Sequence, residues 1–204
     1  MKIYLTRHGQ TEWNIQGKMQ GTAESTLTEK GIEEAKKLGK SLEKIKFDSV
    51  YTSPIGRAHD TTKYIVGDRD VEIKTMNCLR EMNFGIWEGM YNSEVQEKYM
   101  DQYNKFWNEP HLYEPMKGET FQEVVDRVRD CFFNIIRNEK SENILVVTHT
   151  IVIKAIYTIL KNNTVDKLWN PPFINNTCLT IIEIDEESIR LILEADTSHL
   201  NKEI

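Results

Sequence analysis

Closely spaced cysteine pairs, an excess of basic charge and long apolar runs are all missing from this chain of 204 residues. Its three cysteines, Cys78, Cys131 and Cys178, are odd in number and far apart, without zinc-type spacing or a disulfide framework; a reducing, cytoplasmic setting is expected. The formal net charge of -6 argues against attraction to nucleic acid or an anionic membrane, because both surfaces repel such a protein at long range. A local cluster of arginines can still override that global sign for a small anionic substrate. No apolar run approaches the ~20 residues of a membrane span, and the apolar part of MKIYLTRHG is too short for a signal peptide. A soluble, unprocessed protein is therefore expected. Repeats, low-complexity tracts and linkers are lacking as well.

What is present suits a packed core. Hydrophobic residues make up 39% and charged residues 28%, a globular balance. The length fits one domain, with two small units as the alternative on length alone. Lys2 to Thr6 alternates, is rich in strand formers and runs directly into Arg7, His8 and Gly9. After a polar, Gly-containing loop, Thr28 caps a helix whose Ile32, Ala35, Leu38 and Leu42 share one stripe. Phe47 to Thr52 predicts a second strand that stops at Ser53 and Pro54. Arg57 then falls in the first turn of a helix over 55–66, and Val71 to Thr75 makes a third strand. The aromatic-rich, irregular segment 80–115 is expected to form an insertion or lid, with helix around 93–107.

Thr120 and Glu123 make a capping box ahead of an amphipathic helix bearing Phe121, Val124, Val125, Val128, Phe132 and Ile135. Ile144 to Thr148 is the continuous apolar run of a strand buried on both faces, and it ends at His149. A helix over 151–160 follows, and 178–184 with 189–195 predicts a closing hairpin across 185–188. Strands alternating with helices predict a three-layer α/β/α sandwich around a mostly parallel, mixed sheet, one domain over residues 1–204. Ligands bind such sheets at the carboxyl ends of the strands, where Arg7, His8, Arg57 and His149 all fall.

These residue types suit one chemistry. Transfer from a phosphate ester needs donors around the phosphoryl oxygens, an in-line nucleophile and a proton for the departing alkoxide. Arginines supply planar, permanently charged donors, and a neutral imidazole attacks phosphorus while its other ring nitrogen is held. His8 fits that role, since Arg7 precedes it and Gly9 permits close backbone approach.

LTRHGQTEWN from Leu5 to Asn14 resembles the opening motif of the histidine phosphatase superfamily, which includes the cofactor-dependent phosphoglycerate mutases. Gln20 with Gly21, then Leu27, Thr28, Gly31 and Ala35, resemble its next block, and SPIGRAHDT its second arginine motif. LREMNFGIWEG resembles the block bearing the acid, GETFQEVVDRV the helix before the last motif, and VVTHTIVIKAI the segment carrying the second histidine. The resemblance spans most of the chain in order. It implies a phosphoglycerate mutase-like α/β sandwich in which His8 is phosphorylated on nitrogen while Arg7, Arg57 and His149 surround the phosphoryl group. Glu81 would protonate the leaving oxygen and then help activate water. Asn14, Gln20 and Gly21 would add phosphate or substrate contacts, and no metal or cofactor is implied. Thr150 stands where the family usually has glycine; its amide can still reach phosphate, but a β-branched side chain narrows the pocket.

Other residues carry weaker cases. Glu88 is the competing acid, His59 is expected to be structural, and His111 and His199 to lie on the surface. Trp87, Tyr91, Tyr99, Tyr103, Phe106 and Trp107 are expected to pack the lid. The leading reading is a metal-independent phosphohydrolase acting on small phosphate monoesters through a phosphohistidine, as monomer or homodimer. Gln10 and Thr11, where the mutases usually carry Glu and Ser, and the form of the acid block favour the phosphatase branch. Phosphoglycerate mutase activity is the alternative, and a catalytically silent phosphate-binding regulatory module the third.

Overall fold

Alternation along the strands decides how the layers stack. In β1 (Lys2–Arg7) and β4 (Asn143–Thr148), Ile3, Leu5, Ile144 and Val146 bury toward one side, and Tyr4, Leu145 and Val147 toward the other. A sheet apolar on both faces must be covered on both. The computed structural model describes residues 1–201 and shows that cover. One face is packed by α6 (Phe121–Asn138) and α7 (Thr150–Leu160), the other by α2 (Glu29–Ser41) and α3 (Gly56–Val66).

The six strands lie in the order β3-β2-β4-β1-β5-β6, with β2 at Ser49–Thr52, β3 at Ile73–Thr75, β5 at Leu179–Ile184 and β6 at Ile189–Asp196. The first four run parallel, and β5 and β6 continue antiparallel. This is the three-layer, mostly parallel mixed sheet that the sequence predicts. Register aligns the ends that matter: Arg7 pairs with Thr148 and Thr52 with Val147, so the residues leaving β1, β4 and β2 emerge side by side.

Helix boundaries follow local chemistry. The Thr28 side chain accepts from the Gly31 amide, and Thr120 and Glu123 form the reciprocal box ahead of α6. The 80–115 segment is more regular than its aromatic content suggests, because two short helices, α4 (Asn92–Lys98) and α5 (Met100–Asn108), divide the stretch expected as one. Phe106 is buried against Phe84, Trp87, Tyr113, Phe121 and Trp169, which anchors the segment to α6. The loop after β1 contains α1 (Glu12–Gln16), capped by Thr11 and closed by Gly17 at φ 68.

Two expectations fail. Cys78 and Cys131 form a disulfide across 53 positions, joining the 3₁₀ turn Asn77–Leu79 to α6. Their spacing matches no motif, since only the packing of α6 along this turn brings them together; the reducing setting thereby loses its support from cysteine usage. His199 is buried, because the terminal 3₁₀ turn Ser198–Asn201 folds back on α2, where Lys37 Nζ reaches the Leu200 carbonyl at 3.5 Å. His111 is exposed, as expected. No helix among the described residues is long and apolar enough to cross a membrane.

Candidate active site

The level ends of β1, β4 and β2 build the site. The His8 amide bonds to the Thr148 carbonyl at 3.0 Å and the Ser53 amide to the Val147 carbonyl at 3.1 Å, so His8 and Ser53 flank the residue that follows β4, His149. The His8 and His149 rings lie 5.2 Å apart. Arg57, in the first turn of α3, donates from Nε to His8 Nε2 at 3.2 Å, while its two terminal nitrogens reach the Gly21 and Ala23 carbonyls, each at 2.7 Å. Gly21 needs its positive φ of 56, and a Cβ there would sit 2.2 Å from the Glu88 carboxylate.

The His8 tautomer follows from its neighbours. Its Nδ1 lies 2.8 Å from the Gly9 carbonyl, which only accepts, so the proton sits on Nδ1 and the lone pair on Nε2. Burial, then Arg57 and Arg7, hold the His8 pKa well below that of a free imidazole, which keeps the ring neutral. His149 is depressed in the same way, by burial first and then by Arg57. The Gly9 amide donates to Thr61 Oγ1 at 2.9 Å, tying the turn after β1 to α3.

Glu81 arrives from the 3₁₀ turn Asn77–Leu79. Thr148 Oγ1 holds the Leu79 carbonyl at 2.7 Å, and Arg127 of α6 holds the carbonyls of Cys78 and Arg80 at 2.8 and 3.0 Å. The Glu81 carboxyl accepts from the amides of Met82 at 3.0 Å and Ile151 at 3.4 Å. Burial raises its pKa and outweighs those amides and the two arginines, which pull the other way. Glu88 is differently placed: Thr22 and the Phe84 amide occupy its carboxylate, so it fastens two loops.

In front of these groups lies a cavity of about 470 Å³, into which Arg7, His8, Asn14, Gln20, Gly21, Glu81 and Thr150 all face. Arg57, bonded to His8 Nε2, and His149, whose ring neighbours that of His8, complete the set, so the fold brings all nine sequence candidates to one place. The Thr11 hydroxyl lies 3.1 and 3.0 Å from Asn14 Oδ1 and Gln20 Oε1. Their amide NH₂ groups are thus the ends left for a ligand. The outer wall is aromatic, with Phe84, Phe106, Trp107, Trp169 and Phe173. The lining carries three cations, Arg7, Lys18 and Lys154, against one acid, which reverses the sign of the whole chain locally.

Arg7 Nε and His149 Nδ1 are buried and find no hydrogen-bond partner among the described residues. Two orphaned nitrogens beside a neutral imidazole suit an incoming anion. A sequence model described as the histidine phosphatase superfamily (branch 1) matches residues 3–197. The chain belongs to the histidine phosphatase superfamily. Among curated relatives, phosphoserine phosphatase 1 of Hydrogenobacter thermophilus is 29% identical, over 99% of this chain and 95% of its own. A metal-independent phosphoserine phosphatase of Arabidopsis thaliana is 32% identical, over 98% and 83%. A 2,3-bisphosphoglycerate-dependent phosphoglycerate mutase of Bartonella tribocorum also matches, at 31% identity over 78% and 81%. The solved structure of Bacillus stearothermophilus YhfR superposes with a TM-score of 0.95, 39% identity and 98% of each chain covered. With phosphatases aligned over nearly its whole length, this histidine phosphatase superfamily member is a phosphomonoesterase.

Several site residues escape a sequence reading. Ser53 lies within the second arginine motif and touches His149 Nε2 at 2.7 Å. Buried Lys154 donates to the carbonyls of Asn170 and Pro172 at 2.5 and 2.6 Å, shaping the loop whose Ile174 carbonyl takes Arg7 at 2.9 Å. Asn176 donates to the His8 carbonyl at 3.1 Å. Ser53 had a visible signal, its place directly after a predicted strand; the other two act through a loop that only the fold brings under Arg7.

Proposed function

We propose that the enzyme hydrolyses small phosphate monoesters in two displacements through a phosphohistidine on His8. His8 Nε2 attacks phosphorus in line as the bond to the leaving oxygen breaks, and Glu81 gives its proton to that oxygen. Water then attacks phosphorus, Glu81 takes a proton from it, and the N–P bond breaks to release phosphate and restore the ring. The single observation carrying this reading is the His8 geometry: Nδ1–H is fixed on the Gly9 carbonyl, and the buried, neutral ring offers Nε2 to phosphorus.

Arg7 and Arg57 take the phosphoryl oxygens, Arg57 by moving its Nε–H from His8 Nε2 to an oxygen. Asn14, Gln20, and the backbone at Gly21 and Thr150 complete the cradle. The raised pKa of Glu81 supports its keeping a proton for the first step, and the arginines favour the carboxylate once that proton has gone. None of these steps needs a metal or cofactor. The 80–115 segment roofs the cavity with Phe84, Asn92, Phe106 and Trp107, and so bears on which alcohol is accepted.

The test is phosphate release from a panel of metabolite monoesters, with and without chelator, alongside a phosphoglycerate mutase assay. Chelator-insensitive release and an acid-labile phosphoenzyme are expected, both absent in a folded His8→Ala variant. Mutase turnover equal to or above hydrolysis would overturn the hydrolase assignment.

A further inference from the structure

Ser53 stands at the end of β2 without solvent exposure, its Oγ 2.7 Å from His149 Nε2. The same oxygen accepts from the Ile55 amide at 3.2 Å. His149 is fully buried, and its other nitrogen, Nδ1, has no partner among the described residues. A neutral ring carries one N–H, so two arrangements are possible.

In the first, His149 donates from Nε2 to Ser53. The serine proton then needs another acceptor, and no other contact to Ser53 Oγ among the described residues supplies one. His149 Nδ1 would be a bare acceptor in a site crowded by Arg7 and Arg57, with its lone pair turned on any anion bound there. Two buried polar groups are left unsatisfied. In the second, Ser53 donates to His149 Nε2 while still accepting from Ile55, which uses the hydroxyl fully. Only Nδ1–H is left over, a donor beside His8. Fewer orphans and a donor rather than a lone pair next to an anion site both select the second arrangement.

We propose that Ser53 is a positioning residue that fixes the tautomer of His149, so that Nδ1–H is presented to an oxygen of the phosphoryl group on His8. This rests on the phosphohistidine reading above for its catalytic meaning, and on the two hydrogen bonds of Ser53 for its geometry. Burial first, and then the Arg57 guanidinium, already disfavour the imidazolium form of His149, so the neutral tautomer is the variable left to set. Ser53 acts on the reaction only through His149.

The experiment is ¹⁵N–¹H long-range correlation of the whole protein labelled in histidine, with His149 assigned from a His149→Gln variant. In the wild type, the expected pattern places the proton on Nδ1, and orthovanadate, an analogue of the pentacoordinate phosphoryl group, should slow that proton's exchange. Ser53→Ala should redistribute the ring toward the Nε2–H tautomer and lower kcat by about 10- to 100-fold, with KM changed less than about 3-fold. Removing a transition-state donor outright costs ~10²–10³, so a misplaced proton should cost up to that. Ser53→Thr retains the hydroxyl and should restore both the tautomer and most of kcat.

A wild-type ring protonated on Nε2 would overturn the inference, and so would a folded Ser53→Ala protein with unchanged tautomer and kcat. The wild-type spectrum needs no variant at Ser53, so a failure of Ser53→Ala to fold does not remove the test. A protein with the Nδ1–H tautomer but no phosphate release from any monoester would overturn the hydrolase reading and leave the Ser53 assignment in place.

Discussion

Replacing Glu81 by Gln separates the two chemical steps. The amide has nearly the same shape and can still accept from the Met82 amide, now at 3.0 Å, but it has no acidic proton to give. General acid–base catalysis contributes ~10²–10⁴-fold. With an alkyl phosphate, whose departing alkoxide is strongly basic, formation of the phosphoenzyme should slow by that factor. With p-nitrophenyl phosphate the leaving group departs without a proton, so the pre-steady-state burst should persist within a few-fold. Steady-state turnover should still fall, because the second step needs a base for water. Rapid-quench measurement of phosphoenzyme formation and decay on both substrates reads these rates. An equal loss of burst rate on both would refute Glu81 as the proton donor.

The same variant makes a stability prediction. Burial raises the Glu81 pKa above its value in the unfolded chain. Its contribution to folding is therefore fully present below the unfolded pKa, ~4.3, and is lost as pH rises through the folded pKa. Glu81→Gln does not titrate, so it should gain stability relative to wild type across that window. Every tenfold change in the proton affinity of the carboxyl is worth ~1.4 kcal/mol, or about 3–5 °C in a domain of this size. The lost acceptor for the Ile151 amide, now at 3.4 Å, adds a pH-independent offset. Melting temperatures of wild type and variant that stay a constant interval apart from acid to neutral pH would contradict a buried carboxyl.

Lys154→Met should strand the Asn170 and Pro172 carbonyls and lower stability by about 2–4 kcal/mol, read by urea unfolding; an effect near zero would mean that the loop holds itself. The lysine's pKa, brought down to about 8 mainly by burial and by Lys161, should appear in ¹⁵N-lysine spectra, with the uncharged form dominant above that pH. Gly31→Ala would put a Cβ 2.2 Å from the Gln10 carbonyl, against backbone that cannot rotate away. It should cost about 1–3 kcal/mol and also lower kcat, because the displaced turn carries His8; full activity would contradict the close packing of α2 on that turn. Breaking Cys78–Cys131 with Cys131→Ala releases a 53-residue loop, worth up to about 4 kcal/mol in the chain-entropy model, and should loosen the Glu81 turn; guanidinium unfolding with and without reductant checks it.

Much of the site was legible because strands and motifs coincide. Apolar runs that stop at Arg7, at Ser53 and at His149 mark strand ends, and parallel strands end on one side of a sheet. The alternation of burial, the starts of α2 and α6, the extents of α3 and α7, and the closing hairpin came from periodicity and capping, which are local. The subdivision of 80–115, the pairing of Cys78 with Cys131 and the burial of His199 were not legible, since each depends on which distant surface a segment meets. The roles of Ser53, Lys154 and Asn176 were hidden for the same reason. Sequence alone therefore determined which candidate residues gather and at which end of the sheet they do so. Tertiary structure decided the rest: which nitrogen of His8 is held by the Gly9 carbonyl, which of the two acids is buried, and which neighbours orient them. A proton's position depends on partners brought within about 3 Å from all along the chain, and no local pattern records that distance.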